Sequence, residues 1–226
     1  MVDHPTDPLT RSIRENYDRL AHEYAVHLFD ELQHKPLDRE LLTRFACQTR
    51  GHGTVCDIGC GPGHVTRFLK DLQVSVFGLD LSSSMVAEAR RASPGLEFRE
   101  GDMLALDRPP DSLAGIVAFY AIVNLPSQHL ATAFGEMWRA LQPGGLLLLA
   151  FHVGDEIIRP DELWGVPLAM DFYLHSPATI SESLRAAGFL VEEVIEREPY
   201  PDVEYQSRRA YIFARKRDAR VESSGG

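Results

Sequence analysis

A chain of 226 residues with 44% hydrophobic side chains has material for one sizeable core rather than two. Its 33 acidic against 23 basic residues leave a formal net charge of −10, which repels nucleic-acid backbones and anionic membrane surfaces. No apolar run approaches the roughly 18 residues that span a bilayer, and the start, MVDHPTDPLT, has neither the basic nor the apolar segment of a secretion signal; a cytoplasmic protein without nucleic-acid or membrane partners is expected.

In chain order, Leu9, Ile13, Tyr17, Leu20, Tyr24 and Leu28 recur at helical spacing and predict a helix over about 9–30. A second helix follows Pro36, with Leu37, Leu41, Leu42 and Phe45 inward. Three cysteines, Cys47, Cys56 and Cys60, form an odd set with no CxxC pair, so neither a disulfide framework nor a zinc site is signalled. From residue 53 short apolar runs alternate with helical stretches, the pattern of a parallel sheet with crossover helices. Strands are predicted at 54–59, 74–80, 96–101, 115–120 and 146–151, with helices at about 63–72, 83–92 and 128–141. Residues 152–175, punctuated by Gly154, Pro160, Gly165 and Pro167, form an irregular insertion with room for a short helix.

Ser176 and Pro177 suit an N-cap and first helical position, and Gly188 a left-handed helix stop. Two further strands, 189–198 and 207–216, are joined by too few residues for a parallel crossover and must run antiparallel to each other. The fold class is therefore α/β, with seven strands in a mostly parallel sheet, an antiparallel last strand and helices on both faces. The tail 217–226, RDARVESSGG, has too little apolar content to pack and is expected to be disordered.

The stretch VCDIGCGPGHV (55–65) sets glycines at 59, 61 and 63 where a strand hands over to a helix. Glycines there permit a tight turn and leave no side chain between the main chain and a ligand. The dinucleotide fingerprint GxGxxG is not met, because His64 stands where its third glycine would. Asp80, in GLDLS, ends the next strand 21 residues after Gly59. A carboxylate at that place accepts ribose hydroxyls, or else caps the following helix, a task open also to Ser82. Asp102, in GDMLAL, ends the third strand, where it bonds an adenine amino group with Met103 against the ring, or is a turn aspartate.

With these residues in view the chain resembles the class I S-adenosylmethionine-dependent methyltransferases. VCDIGCGPG looks like their first motif, GLDLS like their second-strand acid, GDMLAL like their adenine-side motif and LQPGGLLLLAF like their turn into strand five. The likeness covers roughly residues 12–216 and implies a Rossmann-like fold, S-adenosylmethionine as cofactor and S-adenosylhomocysteine as product. It implies that 1–50 is a helical extension of the same domain serving as a lid, with 51–216 the core and 152–175 an insertion in it. Carried across residue by residue, it puts Asp57 behind the loop toward the methionine amino group, and Gly59, Cys60, Gly61 and Gly63 in the turn beside the methionine and ribose. Asp80 then holds the ribose, Leu81 and Met85 pack near the nucleoside, Asp102 and Met103 hold adenine, and Phe119, Tyr120 and Ala121 line the sulfonium side. Tyr17 and Tyr24 either close over the cofactor or simply pack their helix.

For the acceptor, His152, His175 and Tyr173 stand on segments that this architecture puts on the acceptor side. An imidazole suits proton removal near neutral pH; the alternative is that His175 packs against the helix at Pro177 and His152 is solvated. His152, Asp155 and Glu156 complete no metal coordination set, so no metal is expected. FYAIVNLP lacks the (D/N)PP(Y/F) tetrapeptide of base-amino methyltransferases, which favours a small-molecule acceptor; separately, a monomer or homodimer is expected. The aromatic and apolar insertion (Trp164, Val166, Leu168, Met170, Phe172, Tyr173) forms a lid over that acceptor or covers the sheet edge. Two rivals remain on sequence grounds: a nicotinamide-dependent oxidoreductase, and a module that binds the cofactor without catalysis.

Overall fold

The computed structural model describes residues 7 to 217; beyond Arg217, the tail expected to be disordered lies outside the described residues. Pro8 opens helix α1 (Pro8–Leu28) where its missing N–H costs nothing, and the Asp7 carboxylate accepts the Leu9 N–H at 3.4 Å. The inner face of α1 buries Ile13, Leu20, Ala21 and Ala25, and with them two polar side chains, Thr10 and Asn16. A 3-10 turn (Glu31–His34) leads into α2 (Pro36–Thr49), whose buried stripe of Asp38, Leu41, Leu42 and Phe45 keeps helical spacing.

The alternation then runs β1 (Val55–Ile58), α3 (His64–Asp71), β2 (Val76–Asp80), α4 (Ser83–Ala92), β3 (Phe98–Glu100), β4 (Leu113–Phe119), α5 (Ser127–Ala140) and β5 (Leu141–His152). Two bounds differ notably from expectation. β3 is half its expected length because it is the sheet edge, pairing only through Gly78↔Phe98, Leu79↔Arg99 and Asp80↔Glu100. β5 begins at Leu141 because that residue already pairs with Leu113, ahead of a register irregularity. Ser82 caps α4, its hydroxyl accepting the Met85 N–H at 3.0 Å.

After β5 the insertion holds four two-residue strands and no helix: β6 (Ile157–Ile158), β7 (Glu162–Leu163), β8 (Val166–Pro167) and β9 (Phe172–Tyr173). β6 pairs with β9 and β7 with β8, both antiparallel. The short helix allowed for this segment is therefore corrected: Trp164 and Gly165, at φ of 50° and 78°, make a two-residue hairpin turn instead. The chain ends with α6 (Pro177–Ala186), β10 (Phe189–Arg197) and β11 (Arg209–Lys216). Ser176 precedes α6 as expected, though its side chain makes no capping hydrogen bond.

The seven long strands form one Rossmann-like sheet in the order β10-β11-β5-β4-β1-β2-β3. β1, β2, β3, β4 and β5 are parallel, and β11 is antiparallel to both of its neighbours. Alternate residues feed opposite cores. Cys56, Ile116 and Leu147 join Phe134, Met137, Ile180 and Leu184 of α5 and α6, while Val55, Val117 and Leu148 join Leu41, Leu42, Phe45 and Leu69 of α2 and α3. Full burial of each such side chain contributes about 1.5–3 kcal/mol. Strand order reverses between β1 and β4, which opens a crevice at their carboxyl ends. Cys56 and Cys60 are buried, Cys47 is exposed and all three are free. Among the described residues no helix is long and apolar enough to cross a membrane.

Candidate functional site

That crevice is a cavity open to solvent, with about 760 Å³ of empty space within its walls and mouth together. The ends of β1 to β4 and the inner face of α1 build its walls, so residues from 10 to 125 meet around it. From the glycine turn come Gly59 and Gly61; from the end of β2, Asp80, Leu81 and Met85; after β3, Asp102 and Met103; from β4 and beyond, Phe119, Tyr120 and Ala121; and from α1, Tyr17 and Tyr24. Thr10, Ile13, Leu104, Asn124 and Leu125 also line it and went unread in the sequence. Asn124 had a signal, being one polar residue inside the apolar run AIVNLP.

Asp57, Cys60 and Gly63 do not line the cavity. Cys60 is turned into a small core with Val86, Ala89 and Phe98, and a Cβ at Gly63 would come within 2.6 Å of the Phe98 ring. The Asp57 carboxylate lies behind the loop, accepting the Thr66 hydroxyl at 2.6 Å. Burial pushes it up to about 7 against that bond.

The turn itself requires glycine twice. Gly59 sits at φ +65°, and a Cβ there would meet the Ala121 Cβ at 2.6 Å; Gly61 sits at φ +51°, and a Cβ there would project toward the Tyr24 ring across the cavity wall. Asp80 clamps this bend to α4: Oδ2 accepts the Gly61 N–H at 2.8 Å and Oδ1 the Ser82 N–H at 2.9 Å. Burial outweighs these bonds and holds Asp80 at about 6. The Asp102 Oδ1 accepts the Leu104 N–H at 2.8 Å and its Oδ2 the Thr10 hydroxyl at 3.4 Å, so the turn role is realised at the cavity wall.

On the side of β4 the cavity is aromatic. Tyr17 and Tyr24 make an edge contact at 5.9 Å, Tyr24 meets Trp164 of the insertion at 5.6 Å, and Trp164 stacks on His27 at 4.6 Å. Burial raises both phenols above their usual range. Tyr120 adopts a left-handed backbone (φ 56°). Its hydroxyl donates away from the cavity to Asp38 Oδ2 at 3.3 Å, and Lys35 and Arg209 lie 5.4 and 5.6 Å from its ring centre.

Behind Tyr120 stands a buried polar network. Asp38 accepts from Tyr211 at 2.6 Å and from Arg197 at 3.0 Å; Glu204 pairs with Arg197, and at 3.4 Å with Lys35 and Arg209; Lys35 reaches Glu31 at 2.6 Å. Burial alone would raise Glu204, but the hydrogen bond from Arg197, with further help, holds it at about 2. Asp38 belongs to the inner stripe of α2, where a lone acid is a legible sign of a buried partner.

None of His152, His175 and Tyr173 lines the cavity. His152 is nearest, its ring 5.2 Å from that of Tyr120 and its Nδ1 2.8 Å from Ser207 Oγ. Burial first, then Arg209 and Lys35, push it down to about 3. His175 is buried, with Nε2 3.4 Å from the Ile122 carbonyl, and burial lowers it too. The Tyr173 hydroxyl donates to Asp171 at 3.3 Å. Among the described residues no group of His, Cys, Asp and Glu side chains is arranged to hold a metal ion.

Residues 55–145 match the methyltransferase domain family. Over 157 residues the chain is 31% identical to a malonyl-(acyl-carrier protein) O-methyltransferase of Enterobacter lignolyticus, covering 68% of this chain and 59% of that protein. Over 110 residues it is 38% identical to a trans-aconitate 2-methyltransferase of Methylobacterium nodulans, covering 47% and 40%. The chain thus spans 59% and 40% of the length of these two curated relatives. It is similar in fold to the DhpI–SAH complex structure, with a TM-score of 0.70 at 24% identity over 92% of this chain and 97% of that one. An S-adenosylmethionine-dependent methyltransferase from Mesorhizobium loti gives 0.63 at 23% identity over 78% and 96%. At these identities the likeness to solved structures is one of fold.

Proposed function

Since the chain belongs to the class I S-adenosylmethionine-dependent methyltransferase superfamily, we propose that it is a methyltransferase that moves a methyl group to a small-molecule acceptor. The observation that carries the reading is the bare bend at 59–61, clamped by the Asp80 carboxylate at the mouth of the cavity. Gly61 and Tyr24 both line that cavity, with room at Gly61 for a Cβ only at ordinary contact distance, 3.8 Å from the Tyr24 ring, so the bend fits a ligand pressed against main chain. When bound, S-adenosylmethionine supplies an electrophilic methyl group for in-line displacement, leaving S-adenosylhomocysteine.

The residues of the chain bind and orient. Asp80 accepts the ribose hydroxyls with the lone pairs its two backbone partners leave free. Leu81, Met85, Met103 and Leu104 enclose the nucleoside, with Asp102 at its edge, and Tyr17 and Tyr24 close the cavity from α1. Asp57, Cys60 and Gly63 act from behind, holding the shape of the turn. The aromatic wall of Phe119, Tyr120 and Tyr24 excludes water where the acceptor is aligned, at roughly 3–3.5 Å. His152, neutral, with Nδ1 engaged by Ser207 and its ring 5.2 Å from that of Tyr120, acts on the acceptor through Tyr120 rather than by taking the acceptor's proton. The described part of the N-terminal extension, residues 7–50, and the insertion serve as a lid on the same domain. Of the relatives above, the one named for trans-aconitate supports a small free acceptor, and the one named for malonyl-(acyl-carrier protein) a small acyl group carried on a protein.

Calorimetry with S-adenosylmethionine, S-adenosylhomocysteine and NADH, followed by transfer of labelled methyl groups to a panel of small acids, phenols, amines and thiols, tests the reading. Heat with the sulfur compounds, none with NADH and label in one acceptor class are expected. No heat with either sulfur compound overturns the donor; tight binding with no transfer to any class overturns the enzyme.

A further inference from the structure

Two walls of the cavity, α1 and the segment after β4, meet the insertion at one buried carboxamide. Asn124 is 4% exposed and lines the cavity. Its Oδ1 accepts the Tyr17 hydroxyl from α1 at 2.7 Å, and its Nδ2 donates to the Asp171 carbonyl in the insertion at 2.8 Å. We infer that Asn124 is a positioning residue that ties occupancy of the donor half of the cavity to closure of the insertion over the acceptor half. The inference rests on the donor site proposed above and deepens it.

A carboxamide has one accepting and one donating end, so what it meets on one side decides what it offers on the other. Burial keeps the Tyr17 phenol protonated, and therefore a donor. With Oδ1 committed to Tyr17, the amino end of Asn124 faces Asp171. The chain around it follows suit: the Tyr173 N–H donates to the Val123 carbonyl at 2.6 Å, next to Asn124. From the other side α1 holds the same stretch of insertion, because buried Asn16 donates to the Ala169 carbonyl at 3.3 Å and accepts the Ala169 N–H at 2.9 Å. Trp164 completes the seam against Tyr24.

Tyr17 and Tyr24 are thus wall residues of the cavity on one side and holdfasts of the insertion on the other. A ligand packed against them restrains α1, and through Asn124 it restrains residues 157–173 without touching them. Neither end of the carboxamide is replaceable by bulk water at this burial, so each bond lost leaves a buried group unsatisfied. The consequence for the reaction is order: the donor seats first, and the acceptor is enclosed by a lid that the donor has already steadied.

Hydrogen–deuterium exchange of the full chain with and without S-adenosylhomocysteine tests this. In the wild type the compound should slow exchange at the glycine turn, and at residues 157–173 by about tenfold, the worth of one buried hydrogen bond. In Asn124→Ala the turn should still respond while the effect on 157–173 falls below about twofold. Asn124→Asp keeps the size of the side chain and its acceptor for Tyr17 but cannot donate to Asp171, and should uncouple the insertion in the same way. The inference is overturned if 157–173 responds in both variants as in the wild type, or fails to respond in the wild type while the glycine turn does. No response at the glycine turn in the wild type would instead overturn the donor site, and the inference with it.

Discussion

Asp80 offers the sharpest test, because its charge opposes folding and serves binding over the same range of pH. Its carboxylate is raised from 3.8 to about 6, by burial first, against the hydrogen bonds from Ser82 and Gly61. A shift of that size makes the ionised group cost about 3 kcal/mol in the folded protein relative to the unfolded chain at pH 8. A raised folded value means a contribution that is fully favourable below the unfolded value and lost as pH rises through the folded one. The ligand-free protein should therefore lose stability between about pH 4 and pH 7. Asp57, raised to about 7, adds to the same slope.

Ligand affinity should move the other way. At pH 5 roughly one molecule in ten carries the charge on a group titrating near 6, so S-adenosylhomocysteine should bind about tenfold more weakly at pH 5 than at pH 8. Asp80→Asn removes the cost of the charge but satisfies only one of the two N–H groups, a loss of about 1–3 kcal/mol that nearly cancels the gain. Its unfolding free energy at pH 8 should then lie within about 2 kcal/mol of the wild type, while its affinity falls about 100-fold and no longer depends on pH. Calorimetric titrations and urea unfolding at half-unit steps from pH 4.5 to 8 measure both. Wild-type affinity that is flat across this range, or a D80N variant that binds as the wild type does, would refute the reasoning.

Gly59→Ala forces a side chain into the left-handed region and to within 2.6 Å of the Ala121 Cβ; a loss of about 2–4 kcal/mol in urea unfolding, with the m-value unchanged, is expected. Asp38→Ala strips the acid that Tyr211, Tyr120 and Arg197 share, and should cost about 3–5 kcal/mol by the same measurement, because a buried guanidinium loses a partner. His152, held at about 3, should contribute no inflection to the pH–rate profile between pH 5 and 9. His152→Ala should therefore lower turnover without changing the shape of that profile, and turnover equal to wild type in both His152→Ala and His175→Ala would remove either histidine from the reaction.

What could be read from the chain alone was whatever neighbours in sequence decide. The glycines at 59 and 61 answer to local backbone sterics, the prolines at 8, 36 and 177 to the helix N-terminus, and the alternation of apolar runs to the pleat and the crossover. These are short-range constraints, and they were enough to place the strands along the chain, to foresee the antiparallel pair at the end and to mark Gly59, Gly61, Asp80 and Asp102 as positions that would gather at the carboxyl ends of neighbouring strands; the order of the strands in the sheet was not among them. The insertion was less legible, since strands of two residues leave no periodicity to count and Trp164–Gly165 only becomes a turn once its flanks pair. Of the polar interior only two signs were legible, an acid at 38 and an amide at 124 inside apolar patterns, and their partners were not. Tyr211 and Asp38 are 173 residues apart, Arg197 and Asp38 159, and Tyr17 and Asn124 107; nothing in sequence links residues so far apart. Tertiary packing chose those partners because an unpaired charge or amide inside the fold is costly, and so it alone decided that His152 stays neutral, that Cys60 turns into the core, and that one asparagine joins two walls of the cavity to the insertion.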